Sequence, residues 1–126
     1  MSKQVIYTSE GPQPIGPYSQ AILKNDTLYM SGQIAIDPTT GGLINDDISK
    51  ETHQVMKNIG EILHAADMDY SNIVKCSIFI SDMNDFSVIN KAYGTYFKEN
   101  PPARETVEVS NLPMFVNVEI SCIAIK

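Results

Sequence analysis

Apolar and polar residues alternate along residues 27–36, TLYMSGQIAI. Leu28, Met30, Ile34 and Ile36 share one face with Gly32, and Thr27, Tyr29, Ser31, Gln33 and Ala35 share the other. This period of two predicts a half-buried strand. Gly32 interrupts it, and a glycine inside a strand marks a bulge or a close approach to the backbone. At 48–66 the period changes. Ile48, Val55, Met56, Ile59, Ile62, Leu63 and Ala66 make one apolar stripe at helical spacing. Asp46, Asp47 and Ser49 are candidate caps for that helix. Gly60 inside it costs about 1 kcal/mol against alanine without breaking it. The run IVKCSIFI, 73–80, reads as a strand. Ser81 and Asp82 then offer caps for a second helix over about 84–98, with Phe86, Ile89, Tyr93, Tyr96 and Phe97 as its stripe. The following ENPP stops it, since proline lacks an amide donor and restricts the residue before it.

Two further strands are predicted at 103–110 and 115–125. The first places Arg104, Thr106, Glu108 and Ser110 on one face. The second divides Val116, Val118, Ile120, Cys122 and Ala124 from Phe115, Asn117, Glu119, Ser121, Ile123 and Ile125. Near the N-terminus, IGPYSQA (15–21) follows GPQP and reads as a turn leading into a strand, and DPTTGG (37–42) is turn chemistry. Each helix links two strands and is long enough to cross over a sheet. Two helices cover only one sheet face. The other carries Ile123 and Ile125 beside Glu119 and Ser121, which predicts a subunit interface and therefore an oligomer.

Composition narrows the function. A chain of 126 residues suits one compact domain. Fifteen carboxylates against nine cations give a net charge of −6. Eight of the cations are scattered lysines, so the clustered basic surface of a nucleic-acid binder is not expected. Cys76 and Cys122 lie in apolar runs and read as small core residues rather than a disulfide framework. No stretch has signal-peptide or membrane-span character, which predicts a reduced, cytoplasmic protein. His53 and His64 stand eleven positions apart on one predicted helix, about 16 Å of rise, too far to share a metal ion. HExxH, CxxC, phosphate-loop and dinucleotide-binding glycine patterns are absent, and no GxSxG supports a serine triad.

Two residues stand out. Glu119 lies mid-strand between Val118 and Ile120. Such a carboxylate is a structural ion pair, a solvated face, or a general base tuned by partial burial. Arg104 is the sole arginine and follows a rigid Pro-Pro-Ala lead-in. Its planar guanidinium suits bidentate capture of a carboxylate, which lysine cannot reproduce. The pattern alone leaves it divided between that role and a salt bridge. The short LPMF link also permits the last two strands to form a simple hairpin, with Arg104 paired to Glu119.

The stretches IGPYSQA (15–21), SGQIAIDPTTG (31–41), IVKCSIFISDMNDFSVINKAY (73–93), PARETVEVSNLP (102–113) and VEISCIAIK (118–126) resemble the RidA (YjgF) family of imine and enamine deaminases, in order along nearly the whole chain. The resemblance implies an α+β fold, a mixed six-stranded sheet with two helices on one face, similar to chorismate mutase. It implies a homotrimer whose sheets pack as a central barrel, with small-molecule clefts between subunits and the last strand inserted centrally. It implies that Arg104 grips a substrate carboxylate, that Glu119 positions or activates water, and that Tyr18, Ser31, Gly32 and Asn90 line the cleft. Thr106 stands where many relatives carry cysteine. Thiol chemistry is lost there, while a backbone N–H contact would survive. The implied reaction, without metal or cofactor, is hydrolysis of 2-iminobutanoate or 2-iminopropanoate. The alternatives are a trimeric module that senses 2-oxo acids and, against the acidic charge, a ribonuclease or chaperone-like activity.

Overall fold

A computed structural model describes residues 2–126. Its strands are β1 (Gln4–Ile6), β2 (Ala21–Lys24), β3 (Thr27–Gln33), β4 (Ile73–Ile80), β5 (Ala103–Glu108) and β6 (Val118–Ile125). Its helices are α1 (Ile48–Ala65) and α2 (Phe86–Gly94). The strands form one mixed sheet in the order β1-β2-β3-β6-β4-β5, in which only the β4–β5 pair is parallel. The last strand therefore sits centrally, between β3 and β4. A β5–β6 hairpin is excluded, because β4 lies between those two strands.

Both helices pack on one face. Val55, Met56, Ile59, Ile62 and Leu63 of α1 and Ile89 and Tyr93 of α2 join Leu28, Cys76, Ile78, Val118, Ile120 and Cys122 of the sheet in one buried cluster. The two cysteines are free thiols in this core, directly opposite each other on β4 and β6. Asp47, rather than Asp46 or Ser49, caps α1, accepting the Lys50 N–H at 3.0 Å. Gly60 has a packing reason. A side chain there would run into the Tyr70 ring, whose hydroxyl donates to the Met56 carbonyl at 2.7 Å.

Several boundaries differ from the sequence expectation. β1 was not anticipated; its three residues are too few to show a period. β3 ends at Gln33, because one extra residue between Met30 and Gln33 forms a bulge against β6. Ile34 and Ile36 then leave the main core and pack with Leu112, Val116 and Phe79 in a second small cluster. The helix expected from 84 to 98 is shorter. Asp82 caps a tight turn at Met83–Asp85, accepting the Asn84 N–H at 2.9 Å, and α2 follows. β5 stops at Glu108 and β6 starts at Val118; Pro113–Phe115 form a separate turn with Met114 and Phe115 at positive φ. No helix among the described residues is long and apolar enough to cross a membrane.

Candidate active site

Glu119 alternates with buried Val118 and Ile120, so its side chain leaves the face that the helices cover. It lies over the β3 bulge. A Cβ on Gly32 would come within 2.8 Å of the Glu119 carboxyl carbon, so the missing side chain is what admits the carboxylate. The close approach read from the sequence at Gly32 is thus made by Glu119 of the same chain. Together with Tyr18, Gln13, Ile15 and Pro113 these residues line a small pocket of about 50 Å³. Burial pushes the Glu119 carboxyl above the usual glutamate range.

The pocket wall is fixed by polar groups that strand and helix periods did not single out. Gln20 is buried; its Oε1 accepts the Thr8 N–H at 2.7 Å, and its Nε2 donates to the carbonyls of Thr8 at 3.0 Å and Pro12 at 2.9 Å. Ser31 donates its hydroxyl to the Ser19 carbonyl at 2.6 Å and its backbone N–H to Gln20 at 2.9 Å. Ser31 therefore ties down the Tyr18 loop, and Tyr18 is half exposed, its hydroxyl accepting the Ile15 N–H at 3.3 Å.

Arg104 occupies a different place. It pairs with core-facing Cys76 across β4–β5, so it points to the helix side at the sheet edge. Its guanidinium carbon lies 5.1 Å from the Tyr93 ring centre and 5.7 Å from that of Phe86, both on α2. Cation–π contact of this kind holds the plane of the group without neutralising its charge. The sole ion pair among the described residues is Lys75–Glu105 at 3.0 Å, on the opposite face, so Arg104 has no carboxylate partner among them. With Asn90, Pro101 and Pro102 it lines a cavity of about 320 Å³. Thr106, two residues on, has its hydroxyl buried with no protein partner among the described residues.

The sequence-derived residues thus fall into two groups. Tyr18, Ser31, Gly32 and Glu119 gather at the bulge; Asn90, Arg104 and Thr106 gather at the β5 edge. β4 separates the groups by about 10 Å across the sheet, and the register adds about 10 Å along it, since Cys76 faces Arg104 and Phe79 faces Glu119. The two side chains also point to opposite faces. Arg104 and Glu119 of one chain cannot touch the same small molecule.

The histidines do other work. His53 Nδ1 meets the Tyr96 hydroxyl at 2.8 Å, and His64 is exposed in the last turn of α1. Glu51, which the sequence reading passed over, is fully buried and accepts two hydrogen bonds from Asn117, two residues before Glu119. A signal for it existed: Glu51 falls between Ile48 and Val55, where the apolar stripe of α1 passes.

Known proteins match this chain over nearly its whole length. The family model described as Endoribonuclease L-PSP matches residues 8–126. The human protein named 2-iminobutanoate/2-iminopropanoate deaminase is 45% identical over 124 residues, 98% of this chain and 90% of that one. A Yersinia pestis protein of the conserved Rid family, YyfA, superposes with a TM-score of 0.96 at 51% identity, over 99% of this chain and 100% of that chain. Escherichia coli TdcF, solved with bound serine, superposes with a TM-score of 0.94 at 35% identity, over 98% of each chain. Sequence, fold and strand order agree, and the chain belongs to the RidA (YjgF) family.

Proposed function

We propose that this protein hydrolyses short 2-imino acids, 2-iminobutanoate or 2-iminopropanoate, to the 2-oxo acid and ammonia. The observation that carries the reading is the division of the candidate residues. One chain presents an unneutralised, ring-stacked guanidinium at the β5 edge and a half-buried carboxylate at the bulge, on opposite faces. A site using both requires two chains. We therefore take the working form to be a homotrimer packed through the uncovered sheet face, with Arg104 of one subunit meeting Glu119 of the next. Exposed Tyr29 and Ile125 and half-buried Ile123 supply apolar area on that face. The serine-bound relative and the named human deaminase support a small carboxylate ligand of amino-acid size.

The chemistry asks little of the protein. Arg104 holds the substrate carboxylate by two parallel hydrogen bonds. Asn90, Thr106, Tyr18, Ser31 and the Gly32 backbone line the cleft around it. Glu119 directs a water onto the imine carbon. Addition of water to the C=N bond gives a carbinolamine. The elevated proton affinity of the half-buried carboxyl suits it to take a proton from that water and return it to the nitrogen. Collapse of the carbinolamine expels ammonia and leaves the C=O bond. No metal or cofactor takes part in this scheme, and the free buried thiols accord with a reducing cytoplasm.

The test couples a threonine dehydratase to this protein and follows 2-oxobutanoate against a competing imine trap. Wild type is expected to accelerate release and Arg104→Ala to abolish the acceleration. A wild type that binds 2-oxo acids without accelerating release would replace the enzyme with the sensor.

A further inference from the structure

Glu51 is the only fully buried charged residue among the described residues, and no cation lies within ion-pair distance of it there. Burying a carboxylate in this way is unfavourable unless hydrogen bonds replace its water. Both oxygens are spent on one residue. Oε2 accepts the Asn117 backbone N–H and Oε1 accepts the Asn117 side-chain amide, each at 2.8 Å. The other half of Asn117 is bound to the end of β4. Its carbonyl accepts the Ser81 N–H at 3.1 Å, and its Oδ1 accepts the Ser81 hydroxyl at 3.3 Å. Every polar group of Asn117 is therefore engaged.

The position of this clasp is informative. β3 pairs with β6 only as far as Gln33 opposite Ile120. Val118 and Glu119 are laddered on the β4 side alone, opposite Ile80 and Phe79. The stretch that carries Glu119 thus lacks one of its two strand neighbours, because the bulge that makes room for the carboxylate also ends the β3–β6 pairing. Glu51 supplies an anchor two residues upstream, from the first turn of a helix whose own start is capped by Asp47.

We infer that Glu51 is a positioning residue: through Asn117 it fixes the register and height of β6 at Glu119, and so sets where the Glu119 carboxylate sits over Gly32. This rests on the reading of Glu119 as the water-directing group. Glu51 touches no substrate in this scheme.

The experiment uses the full chain and the variants Glu51→Ala, Glu51→Gln, Asn117→Ala, Glu119→Gln and Glu51→Ala/Glu119→Gln. The Glu119 carboxyl is titrated by carbon NMR, and turnover is followed in the coupled imine assay. Glu51→Ala is expected to bring the Glu119 titration down toward that of an ordinary glutamate, as a loosened strand hydrates it. It is expected to lower kcat roughly ten- to hundredfold with little change in KM, since misplacement of a reacting group by about 1 Å costs that much. Glu51→Gln keeps one acceptor for the Asn117 N–H and should fall between. Asn117→Ala keeps the backbone bond and should shift both readouts in the same direction by less. In the Glu119→Gln background, Glu51→Ala should cause no further loss, because the two act as one unit. The inference is overturned if Glu51→Ala and Asn117→Ala leave the Glu119 titration unchanged, or if the Glu51 and Glu119 losses multiply. Should Glu51→Ala fail to fold, Glu51→Gln and Asn117→Ala decide by the same titration. A Glu119→Gln protein with wild-type turnover would instead defeat the reading of Glu119, while the titration still reports whether Glu51 governs it.

Discussion

The two halves of the candidate site are built on opposite principles. Around Glu119 the backbone itself is shaped: a bulge in β3, a glycine without which the carboxylate would not fit, and buried Gln20 and Glu51 with half-buried Ser31 tying the adjoining segments. Around Arg104 the backbone is an ordinary edge strand, and only side chains specialise, with two aromatic rings against a charge that lacks a counter-ion among the described residues. The first half holds a carboxylate seated closely over one glycine. The second holds a guanidinium set between two rings beside an open cavity. Under the proposed function, binding and chemistry are thereby separated in one chain and joined only when chains meet.

The contrast is sharpest at Arg104. Replacing it by alanine should lower kcat/KM by about 10²–10³-fold, the usual range when one partner of a desolvated charge pair is removed. Arg104→Lys restores charge without the planar fork and should recover only part of that loss. Steady-state kinetics on 2-iminobutanoate would show it. Equal rates for Lys and Arg would reduce the clamp to a simple positive charge.

Gly32→Ala breaks the other half. The new methyl would displace the Glu119 carboxyl, and we expect kcat to fall by about tenfold or more. Overpacking should cost about 1–3 kcal/mol of stability, read from urea unfolding. Unchanged kcat with normal stability would mean that Glu119 moves aside freely and that its seat over the bulge is incidental.

Mixing tests whether the halves join across subunits. Arg104→Ala and Glu119→Gln chains, each inactive alone, are unfolded together in equal amounts and refolded. In a closed ring each site draws Arg104 from one chain and Glu119 from its neighbour. About one quarter of the wild-type activity should return, because half of the first chains and half of the second are intact. No recovery from mixtures that assemble would place both residues in separate sites.

Much of this was legible before the structure, and the misses have physical causes. The sequence marks the strand at 73–80 to the residue, because its apolar run ends sharply at Ser81 and Asp82. The second helix was read too long because Tyr96 and Phe97 continue the stripe while the backbone has changed. Beyond Gly94 the amides of Thr95, Tyr96 and Phe97 bond three residues back, and Tyr96 still packs on Tyr70. The face of Arg104 relative to Glu119 was not legible from alternation, since period two assigns faces within a strand but not between strands that are not neighbours. Family resemblance implies the central place of the last strand, and the full strand order then fixes the separation. The apolar stripe of α1 marks Glu51 as a buried position, but not its partner: a long-range clasp between a helix start and a strand start leaves no local period that points to Asn117.

The smallest effect is thermodynamic and concerns Glu119 alone. Burial raises its carboxyl pKa in the folded chain relative to the unfolded one. Between the two values the folded protein holds more protons, so stability falls as pH rises through this window. Below the ordinary glutamate range the carboxyl is protonated in both states and costs nothing; above the raised folded value the full penalty applies. Glu119→Gln removes the titrating group and should flatten this part of the stability curve, leaving the variant at least as stable as wild type at neutral pH. Urea midpoints across mildly acidic to neutral pH, for both proteins under oligomeric conditions, test it. A parallel pair of curves would show that the Glu119 carboxyl is not raised in the assembled protein, so that the burial seen in the single chain is relieved there; repeating the pair in the Arg104→Ala background then tells whether that guanidinium supplies the relief, since a slope that reappears assigns it to Arg104 and curves that stay parallel exclude it.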